Sequence, residues 1–237
     1  MPDSFAVMQP YFLPYIPYFS LAKAADVFVF YDDVAYRKGS WINRNFIYTD
    51  QALKLATVPL DGASSYKNIN EVKIKDLCRV RSKLMTRLEQ VYSKAPHRDV
   101  GLSYADQILS GDHESISSLA IQSVVDAAAI LGLGTKFIVS SSAFSDTAVL
   151  NGQDRLFAIG RKLRCQRYYN LPGGRALYEH DSFKNNGLYL FFLDPGTGAY
   201  NKNELTSSTN ASILHHLMVR SVEEISIMID DFDLTAG

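Results

Sequence analysis

Cysteine is scarce in this sequence, which holds only Cys78 and Cys165 among its 237 residues. The two are far apart, and neither has a Cys or His neighbour at the spacing of a metal site. A disulfide framework, a zinc module and a cysteine nucleophile are therefore not expected, and a reducing compartment fits the composition. The sequence predicts no metal site, and it identifies no cofactor.

An excess of charge of either sign is also missing, since 24 Lys and Arg residues face 25 Asp and Glu residues. A chain with a net charge of −1 has no general attraction to nucleic acid, so we expect no nucleic-acid partner. No apolar stretch approaches the roughly 20 residues that a membrane-spanning helix needs. The start of the chain lacks a basic segment followed by a long apolar run, and we expect a cytoplasmic protein without membrane insertion.

Apolar and aromatic residues are abundant, with 47% hydrophobic side chains and 14 Tyr and 13 Phe against a single Trp. A chain of this length and composition can bury a large core of its own. We expect a single domain over residues 1–237, within which residues near 76–135 could form a helical subdomain. Several tyrosines fall within the first fifty residues, where they could stack on a ligand or fill the core.

The opening of the chain follows the order strand, proline-rich loop, helix, strand. Residues 4–9 and 27–31 are apolar runs of strand length, and residues 18–25 favour a helix. This order is typical of parallel βαβ units. The predicted fold class is therefore α/β, with a parallel or mixed sheet flanked by helices in a Rossmann-like arrangement and a helical middle segment.

Apolar spacing predicts the remaining elements of the chain. Helical spacing occurs at residues 77–91, 102–109, 116–131, 155–163 and 222–229. Short apolar or β-branched runs predict strands at 69–74, 136–140, 168–170 and 188–193, and a hairpin of 46–48 with 53–58. Residues 194–208, rich in Gly, Asn, Ser and Thr, predict a mobile loop.

The first candidate site segment is the loop that follows the first strand. Gln9, Tyr11 and Tyr15 lie in residues 9–17, which three prolines stiffen. Such rigidity removes part of the ordering cost of binding, so these side chains favour a ligand site at the carboxyl end of the sheet. The alternative is a structural loop whose prolines only turn the chain.

Tyr31 ends the second predicted strand, and Asp32 and Asp33 follow it, at an edge where α/β sheets place ligands. A carboxylate there could bind a metal, act as a general base or hold sugar hydroxyls. Successive residues of an extended chain point to opposite sides, so we expect only one of the two aspartates in a site. The alternative is a helix cap or a salt bridge with Arg37.

The third segment, residues 36–45, gathers cations around the only tryptophan. Arg37, Lys38 and Arg44 could hold phosphate groups, because Arg supplies bidentate geometry and Lys a point charge. Trp41 offers a stacking surface. The alternative is a solvated loop that the tryptophan anchors to the core.

Two later segments have weaker site signals. Residues 151–155 predict a helix start, whose free N–H groups favour an anion but also fit an ordinary helix cap. Residues 170–178 place Gly173 and Gly174 after a strand. Glycines let a ligand approach the backbone closely, but they are also common in plain turns.

None of the histidines forms a metal-binding pattern. His97, His113 and His180 stand alone in the sequence. His215 and His216 are adjacent in a predicted helix, so their side chains point to different faces and do not make a metal pair.

Five segments, taken in order, resemble the WbqC-like protein family. They are residues 8–19, 31–34, 38–45, 152–155 and 168–178. The first three match a MQPYFxPYxxYF run, YDDV and KxxWxNRN, and the resemblance spans nearly the whole chain. Two positions depart from the family pattern, because Pro17 stands where Gly is frequent and His215 where an acidic residue is usual.

The resemblance implies both an activity and a set of site residues. It associates the chain with bacterial surface-polysaccharide and natural-product biosynthesis, and it implies a transferase acting on amino-sugar or amine substrates. Carried over by position, the motif residues are Gln9, Tyr11, Pro14, Tyr15, Asp32, Asp33, Lys38, Trp41, Asn43, Arg44, Asn45, Gln153, Asn170, Gly173, Gly174 and Tyr178.

We therefore expect a transferase that moves an acyl or aminoacyl-type group onto an amine of a sugar nucleotide or small metabolite. In this hypothesis the catalytic candidates are Asp32 or Asp33 as base, with assistance from His215. Phosphate is held by Arg37, Lys38 and Arg44, and the stacking rings are Tyr11, Tyr15 and Trp41. The alternatives are a nucleotidyltransferase or ligase-like enzyme and a non-catalytic glycan- or nucleotide-binding module. The sequence gives neither donor nor acceptor, and association into a homo-oligomer stays open.

Overall fold

The computed structural model describes residues 2–49, 52–196 and 211–237, without the side chains of residues 48, 49, 52 and 53. In chain order the strands are β1 Ser4–Met8, β2 Val27–Phe30, β3 Arg44–Thr49, β4 Ala52–Thr57, β5 Leu60–Asp61, β6 Lys73–Ile74, β7 Lys136–Val139, β8 Arg167–Asn170, β9 Tyr189–Pro195 and β10 Phe232–Ala236. The α-helices are α1 Ile16–Ala24, α2 Leu77–Val91, α3 Arg98–Ser110, α4 Ile116–Ile130, α5 Ser140–Ala143, α6 Gly152–Leu163, α7 His180–Asn185, α8 Ile213–Val219 and α9 Val222–Asp230.

Six of these strands form one sheet in the order β10-β9-β8-β1-β2-β7. β1 pairs in parallel with β2 on one side and with β8 on the other. β7 and β9 extend the parallel sheet, and β10 closes one edge antiparallel to β9. The predicted fold class is confirmed, because the sheet is mixed and mostly parallel and α2–α4 form the helical middle.

The central strands are apolar on both faces, which explains why helices cover the sheet on both sides. In β2, Val27 and Val29 belong to one core cluster, and Phe28 and Phe30 belong to the other. Alternate side chains of a strand point to opposite faces, and a continuous apolar run is typical of a parallel strand buried on both sides. The cluster around Phe28 and Phe30 continues into the helical middle.

Helix α1 begins at Ile16, two residues earlier than predicted. Pro17 occupies its first turn, where the missing N–H of proline needs no partner within the helix. The prediction that residues 9–17 contain no helix interior still holds, because the proline lies at the helix start.

The helical middle follows the predicted spacing closely. Helix α2 has the predicted bounds and buries Leu84 and Leu88. The Asp76 carboxylate caps α2 by accepting from the Arg79 N–H at 3.0 Å. The division of the chain into one domain with a helical subdomain stays a prediction.

The hairpin prediction is confirmed, since β3 and β4 pair antiparallel from Arg44 and Thr57 onward. The strand predicted at residues 69–74 is wrong in its first half. Ile69–Glu71 form a 3₁₀ helix, because Asn68 and Glu71 close a capping box, and only β6 is extended.

The loop predicted at residues 194–208 begins too early, because its first two residues belong to β9. Its part from residue 197 onward lies outside the described residues. The closing strand β10 was not predicted. Its residues pair with β9 over five positions, and a short FDLTA segment carries no strong local strand signal.

Candidate functional site

The strand order of the main sheet has a switch point between β1 and β8, because the chain adds strands on one side of β1 first and on the other side later. From β1 the chain adds β2 and then β7 on one side, and it later adds β8 and β9 on the other. The connections therefore leave the carboxyl ends of β1 and β8 in opposite directions, and ligands of α/β sheets bind at such switch points. Gln9 follows β1 and Asn170 ends β8, so both lie at this point.

A cleft of about 610 Å³ occupies the switch point, within the range of roughly 300–1,000 Å³ that holds small-molecule ligands. We call it the switch-point cleft. Its lining residues are Val7, Met8, Gln9, Tyr11, Tyr15, Pro17, Ser20, Tyr31, Asn170, Leu171, Pro172, Gly173, Gly174, Leu177, Tyr178, Leu193, Pro195, Met228, Asp231 and Phe232. The predicted site residues among them are Gln9, Tyr11, Tyr15, Asn170, Gly173, Gly174 and Tyr178.

The proline-rich loop, residues 9–17, forms one wall of this cleft. The hydroxyl of the fully buried Tyr18 donates to the carbonyl oxygen of Gln9 at 2.9 Å. The Tyr18 ring also packs on the Tyr11 ring, with centroids 5.6 Å apart. Two lining residues are thus held from behind by one core tyrosine, which fixes the wall before a ligand binds.

Asn45 clamps the same wall from outside the cleft. Its Nδ2 donates to the carbonyl oxygens of Phe12 at 3.1 Å and Leu13 at 2.9 Å. Its Oδ1 accepts from the Phe46 N–H at 2.8 Å. Leu13 has a φ of 49°, a left-handed conformation that is costly for a leucine. The hairpin therefore holds the loop in a conformation that it would not adopt alone.

The tyrosines of this wall are hydrogen-bond donors near neutral pH. Burial raises the pKa of Tyr15 to about 12, and the neighbouring Tyr11 adds to the shift. Burial also raises the pKa of Tyr11, although the positive charge of Arg37 offsets part of this effect. Both phenols therefore stay protonated, and Arg37 acts electrostatically on the wall although it does not line the cleft.

Three side chains interlock on the opposite wall. Asn170 Nδ2 donates to the Tyr178 hydroxyl at 2.7 Å, and that hydroxyl lies 3.1 Å from the Tyr168 hydroxyl. Asn170 Oδ1 accepts from the Leu171 N–H at 2.8 Å. Burial raises the pKa of both tyrosines, so their hydroxyls also stay protonated.

The two predicted glycines differ in their surroundings. A Cβ on Gly174 would lie 2.7 Å from Asn170 Nδ2, so the absence of a side chain lets the turn pack on the network. A Cβ on Gly173 would have no atom within 4 Å. Gly174 is therefore needed for packing, whereas Gly173 leaves open space at the cleft surface.

Asp32 and Asp33 do not line the cleft, and both carboxylates already accept hydrogen bonds. Asp32 accepts from the Ser141 hydroxyl at 2.7 Å and the Ser141 N–H at 3.0 Å. The Ser140 hydroxyl is within hydrogen-bond distance of both aspartates, at 3.1 and 2.5 Å. The base role of either aspartate stays a prediction, and this geometry does not favour it.

The salt bridge proposed between an aspartate and Arg37 is wrong, because Asp33 pairs with Arg155. Arg155 Nη2 lies 2.5 Å from Asp33 Oδ2, and its side chain is only 2% exposed. Its guanidinium also lies 4.6 Å from the ring centroid of Tyr31, which lines the cleft. The buried ion pair thus supports the cleft from behind. Sequence reasoning did not single out Arg155, because its partner lies 122 residues away.

The predicted phosphate-binding segment lies outside the cleft. Arg37 and Lys38 are exposed, and Arg44 donates to the carbonyl oxygen of Gly39. Trp41 is 37% exposed and packs its ring against a phenylalanine of β3, with centroids 5.4 Å apart. The phosphate and stacking roles of these residues stay predictions.

Asn43 and Gln153 also lie away from the cleft. Asn43 Nδ2 donates to the Val58 carbonyl oxygen at 2.8 Å, and its Oδ1 accepts from the Tyr36 hydroxyl at 3.1 Å. Gln153 Oε1 accepts from the Glu179 N–H at 3.2 Å. Asn43 thereby fixes the base of the hairpin, and the binding roles of both residues stay predictions.

His215 lies in helix α8, as predicted, but it does not line the cleft. Its Nδ1 is 2.9 Å from the Tyr92 hydroxyl. Burial, assisted by the positive charge of Arg220, lowers the pKa of His215 to about 4. The imidazole is therefore neutral near pH 7, and its assisting role in catalysis stays a prediction.

Replacing His215 with glutamine is expected to flatten the pH dependence of stability between pH 6.5 and about 4. The imidazole pKa is 6.5 in the unfolded chain and about 4 in the folded chain, so only the unfolded state binds the proton in this window. The free energy of unfolding of the wild type should therefore fall by roughly 2–3 kcal/mol as the pH decreases through this window. Above this window His215 should cause no change in stability with pH.

Urea unfolding curves at about pH 7 and pH 4.5 measure this effect. The exposed His180 supplies the control, because His180→Gln should keep the wild-type pH dependence. A His215→Gln profile that runs parallel to the wild type would contradict the assignment.

Three cleft residues, Met228, Asp231 and Phe232, come from the end of the chain. Helix α9 reaches the cleft because it packs beside α1, where Lys23 and Asp230 form an ion pair at 2.6 Å. The sequence predicts this helix, but no local pattern marks it as part of a site. Among the lining residues in the described part of the chain, Asp231 is the one that carries a carboxylate.

Within residues 2–49, 52–196 and 211–237, no group of three or more His, Cys, Asp or Glu side chains could hold a metal ion. In that same part of the chain, no helix combines the length and apolar character that crossing a membrane requires.

Comparison with known proteins identifies relatives of the chain. The model of the WbqC-like protein family matches residues 9–227. An uncharacterized protein of Mycobacterium tuberculosis is 27% identical over 192 residues, which cover 80% of this chain and 81% of that protein. No solved structure matches the chain significantly. The matched range contains both walls of the switch-point cleft and ends shortly before Asp231.

Proposed function

Because the chain belongs to the WbqC-like protein family, we propose that it is a transferase for small metabolites. It would move an acyl or aminoacyl-type group onto an amine of a sugar nucleotide or small metabolite. The observation that carries this proposal is the switch-point cleft, which has the volume of a small-ligand site and lies where α/β sheets bind ligands.

The acceptor amine is assigned to the side of the cleft that carries Asp231. During transfer the amine nitrogen forms a bond to the acyl carbonyl carbon, and the bond from that carbon to the leaving group breaks. A bound ammonium must lose two protons to become the amide nitrogen, and the first loss, which frees the lone pair for attack, needs a nearby base. A carboxylate at Asp231 can hold the substrate ammonium and accept this first proton, and the second proton leaves with the departing group.

The acyl carbonyl is assigned to the tyrosines of the two cleft walls, Tyr15 on one wall and Tyr178 on the other. Negative charge develops on the carbonyl oxygen during acyl transfer, and fixed hydrogen-bond donors stabilise it. Burial raises the pKa of Tyr15 and of Tyr178, so both hydroxyls remain protonated and can donate. The interlocked Asn170 network holds Tyr178 in place.

Asp231→Asn provides the test of this assignment. Purified protein is incubated with an amine-bearing sugar nucleotide and a set of activated acyl donors, and mass spectrometry detects the acylated amine. Loss of the proton acceptor is expected to lower kcat/KM by about 100-fold or more.

Asp230→Asn is the matched control, because Asp230 is the adjacent residue and forms an exposed ion pair with Lys23. It should keep activity within about twofold of wild type. Equal activities of Asp231→Asn and Asp230→Asn would remove Asp231 from the mechanism. Absence of turnover with every amine and donor would contradict the transferase proposal itself.

A non-catalytic glycan- or nucleotide-binding module is the second candidate. It is favoured by the hydrogen-bonded state of Asp32 and Asp33, which leaves fewer carboxylates for proton transfer. Saturable binding of a sugar nucleotide by calorimetry, without product after long incubation, would support it. Release of pyrophosphate or AMP from ATP would instead support a nucleotidyltransferase or ligase-like enzyme.

A further inference from the structure

A second groove, which we call the basic groove, lies between strand β4 of the hairpin and helix α2. It encloses about 620 Å³ and shares no lining residue with the switch-point cleft. Its cationic lining residues are Lys75, Arg79, Lys83 and Arg87. The last three follow at four-residue steps on α2, so they lie on one helix face over roughly 12 Å.

Three of these cations, Lys75, Arg79 and Lys83, are not balanced by acids in the described part of the chain, where their charged groups form no ion pair. Arg81, one helix face away, pairs with Asp106 at 2.6 Å. Like charges at four-residue steps destabilise a helix, so the row favours an anion supplied from outside.

The carboxylate that lines the groove is already used. Asp76 accepts from the Arg79 N–H at 3.0 Å and caps α2. The carboxylate is therefore directed at the backbone of the helix start and does not form an ion pair with the row of cations. An anion in the groove would meet the cationic groups of Lys75, Arg79 and Lys83, and an Asp76 carboxylate that already accepts a backbone hydrogen bond.

The floor of the groove is apolar. Phe12 and Val58 lie at the floor and are almost fully buried, and Leu55 is 46% exposed at the rim. A simple inorganic anion needs no such surface, because only its charge is recognised. The lining therefore fits a molecule with an anionic end and an apolar or aromatic end.

We propose that the basic groove binds an organic diphosphate. Arg79 can hold phosphate oxygens in bidentate geometry, and Lys75 and Lys83 add point charges. The apolar or aromatic group of the ligand would rest on Leu55 and the floor. The groove has the volume of a small-ligand site, and the net charge of −1 gives no general attraction to nucleic acid. This proposal does not depend on the activity proposed for the switch-point cleft.

Calorimetry on the full chain tests the proposal with four probes, which are ADP, a short prenyl diphosphate, inorganic pyrophosphate and adenosine. At least one of the two organic diphosphates should bind saturably, and pyrophosphate and adenosine at least tenfold more weakly. Binding of ADP would indicate a nucleotide ligand, and binding of the prenyl compound would indicate a lipid-type diphosphate.

The double variant R79E/K83E should lose at least 30-fold in affinity for the organic diphosphate. R161E/K184E is the matched control, because it makes the same charge change at exposed residues of α6 and α7 and should bind like wild type. Leu55→Ser should weaken binding of the organic diphosphate but not of pyrophosphate. Far-UV circular dichroism verifies that each variant is folded.

Several outcomes would overturn the proposal. They are the failure of both organic diphosphates to bind, equal affinity for pyrophosphate, and unchanged affinity in R79E/K83E. Tighter binding of a glutamate-rich peptide, lost in R79E/K83E, would assign the groove to a protein partner instead.

Discussion

Replacing Arg155 with methionine is expected to lower the free energy of unfolding by about 3–5 kcal/mol. Methionine occupies a similar place in the core but leaves the carboxylate of Asp33, whose side chain is 9% exposed, without its cation. A charge stranded in a low-dielectric interior loses both its solvation and its partner. Urea unfolding measures the loss, and an unchanged m-value would show that the effect is on stability.

Lys162 supplies a matched control on the same helix α6. It pairs with Asp146 at 2.7 Å, but the two side chains are 43% and 64% exposed. Exposed pairs contribute about 0–1 kcal/mol, so Lys162→Met should remain near the wild type. The double variant D33N/R155M should recover part of the loss, because neither side chain is then charged. Equal stability of the Arg155 and Lys162 variants would contradict a supporting role for the buried pair.

The elements that the sequence predicts well are those in which one local pattern decides the structure. Helix α2 is an example, because apolar residues recur at steps of three or four from Leu77 to Val91, over all fifteen of its residues. The strand predicted at 69–74 failed although a signal was present. Asn68 and Glu71 have the spacing of a capping box, and those side-chain hydrogen bonds outcompete the extended conformation that β-branched residues favour.

The candidate site could be predicted only in part. Gln9 and Asn170 follow from the rule that ligands bind at the carboxyl ends of parallel strands, because each lies at a strand end. Asp231 could not be found in this way, because it reaches the cleft only through the packing of α9 beside α1. Its position depends on tertiary structure that no local pattern encodes.

Several polar residues within the family segments bind the backbone or a buried charge instead of lining the cleft. Asn45 binds carbonyl groups 32 and 33 residues away, and Arg155 binds a carboxylate 122 residues away. In the sequence such polar residues look like ligand-binding groups, because both roles need the same donors and acceptors. Only the hydrogen-bond partners of a side chain in the folded structure show whether it positions other residues or binds a ligand.

Replacing Asn45 with aspartate is expected to lower the free energy of unfolding by about 3 kcal/mol, at least as much as Asn45→Ala. Aspartate has the same shape, but its carboxylate cannot donate to the carbonyl oxygens of Phe12 and Leu13. The introduced carboxylate and the two carbonyl oxygens would then face one another at a position where the wild-type asparagine is only 2% exposed. The left-handed turn at Leu13 would lose the clamp that holds it.

Asn186→Asp is the matched control, because the Asn186 side chain donates an exposed hydrogen bond to the Ser182 carbonyl oxygen at 2.9 Å. It should stay within about 0.5 kcal/mol of wild type, as is usual for surface substitutions. Hydrogen exchange adds a local readout, since amides of residues 9–17 should lose protection in Asn45→Asp and keep it in Asn186→Asp. If both variants unfold at the same urea concentration with the loop equally protected, the hairpin does not hold the cleft wall, because the carbonyls of Phe12 and Leu13 must then find other donors.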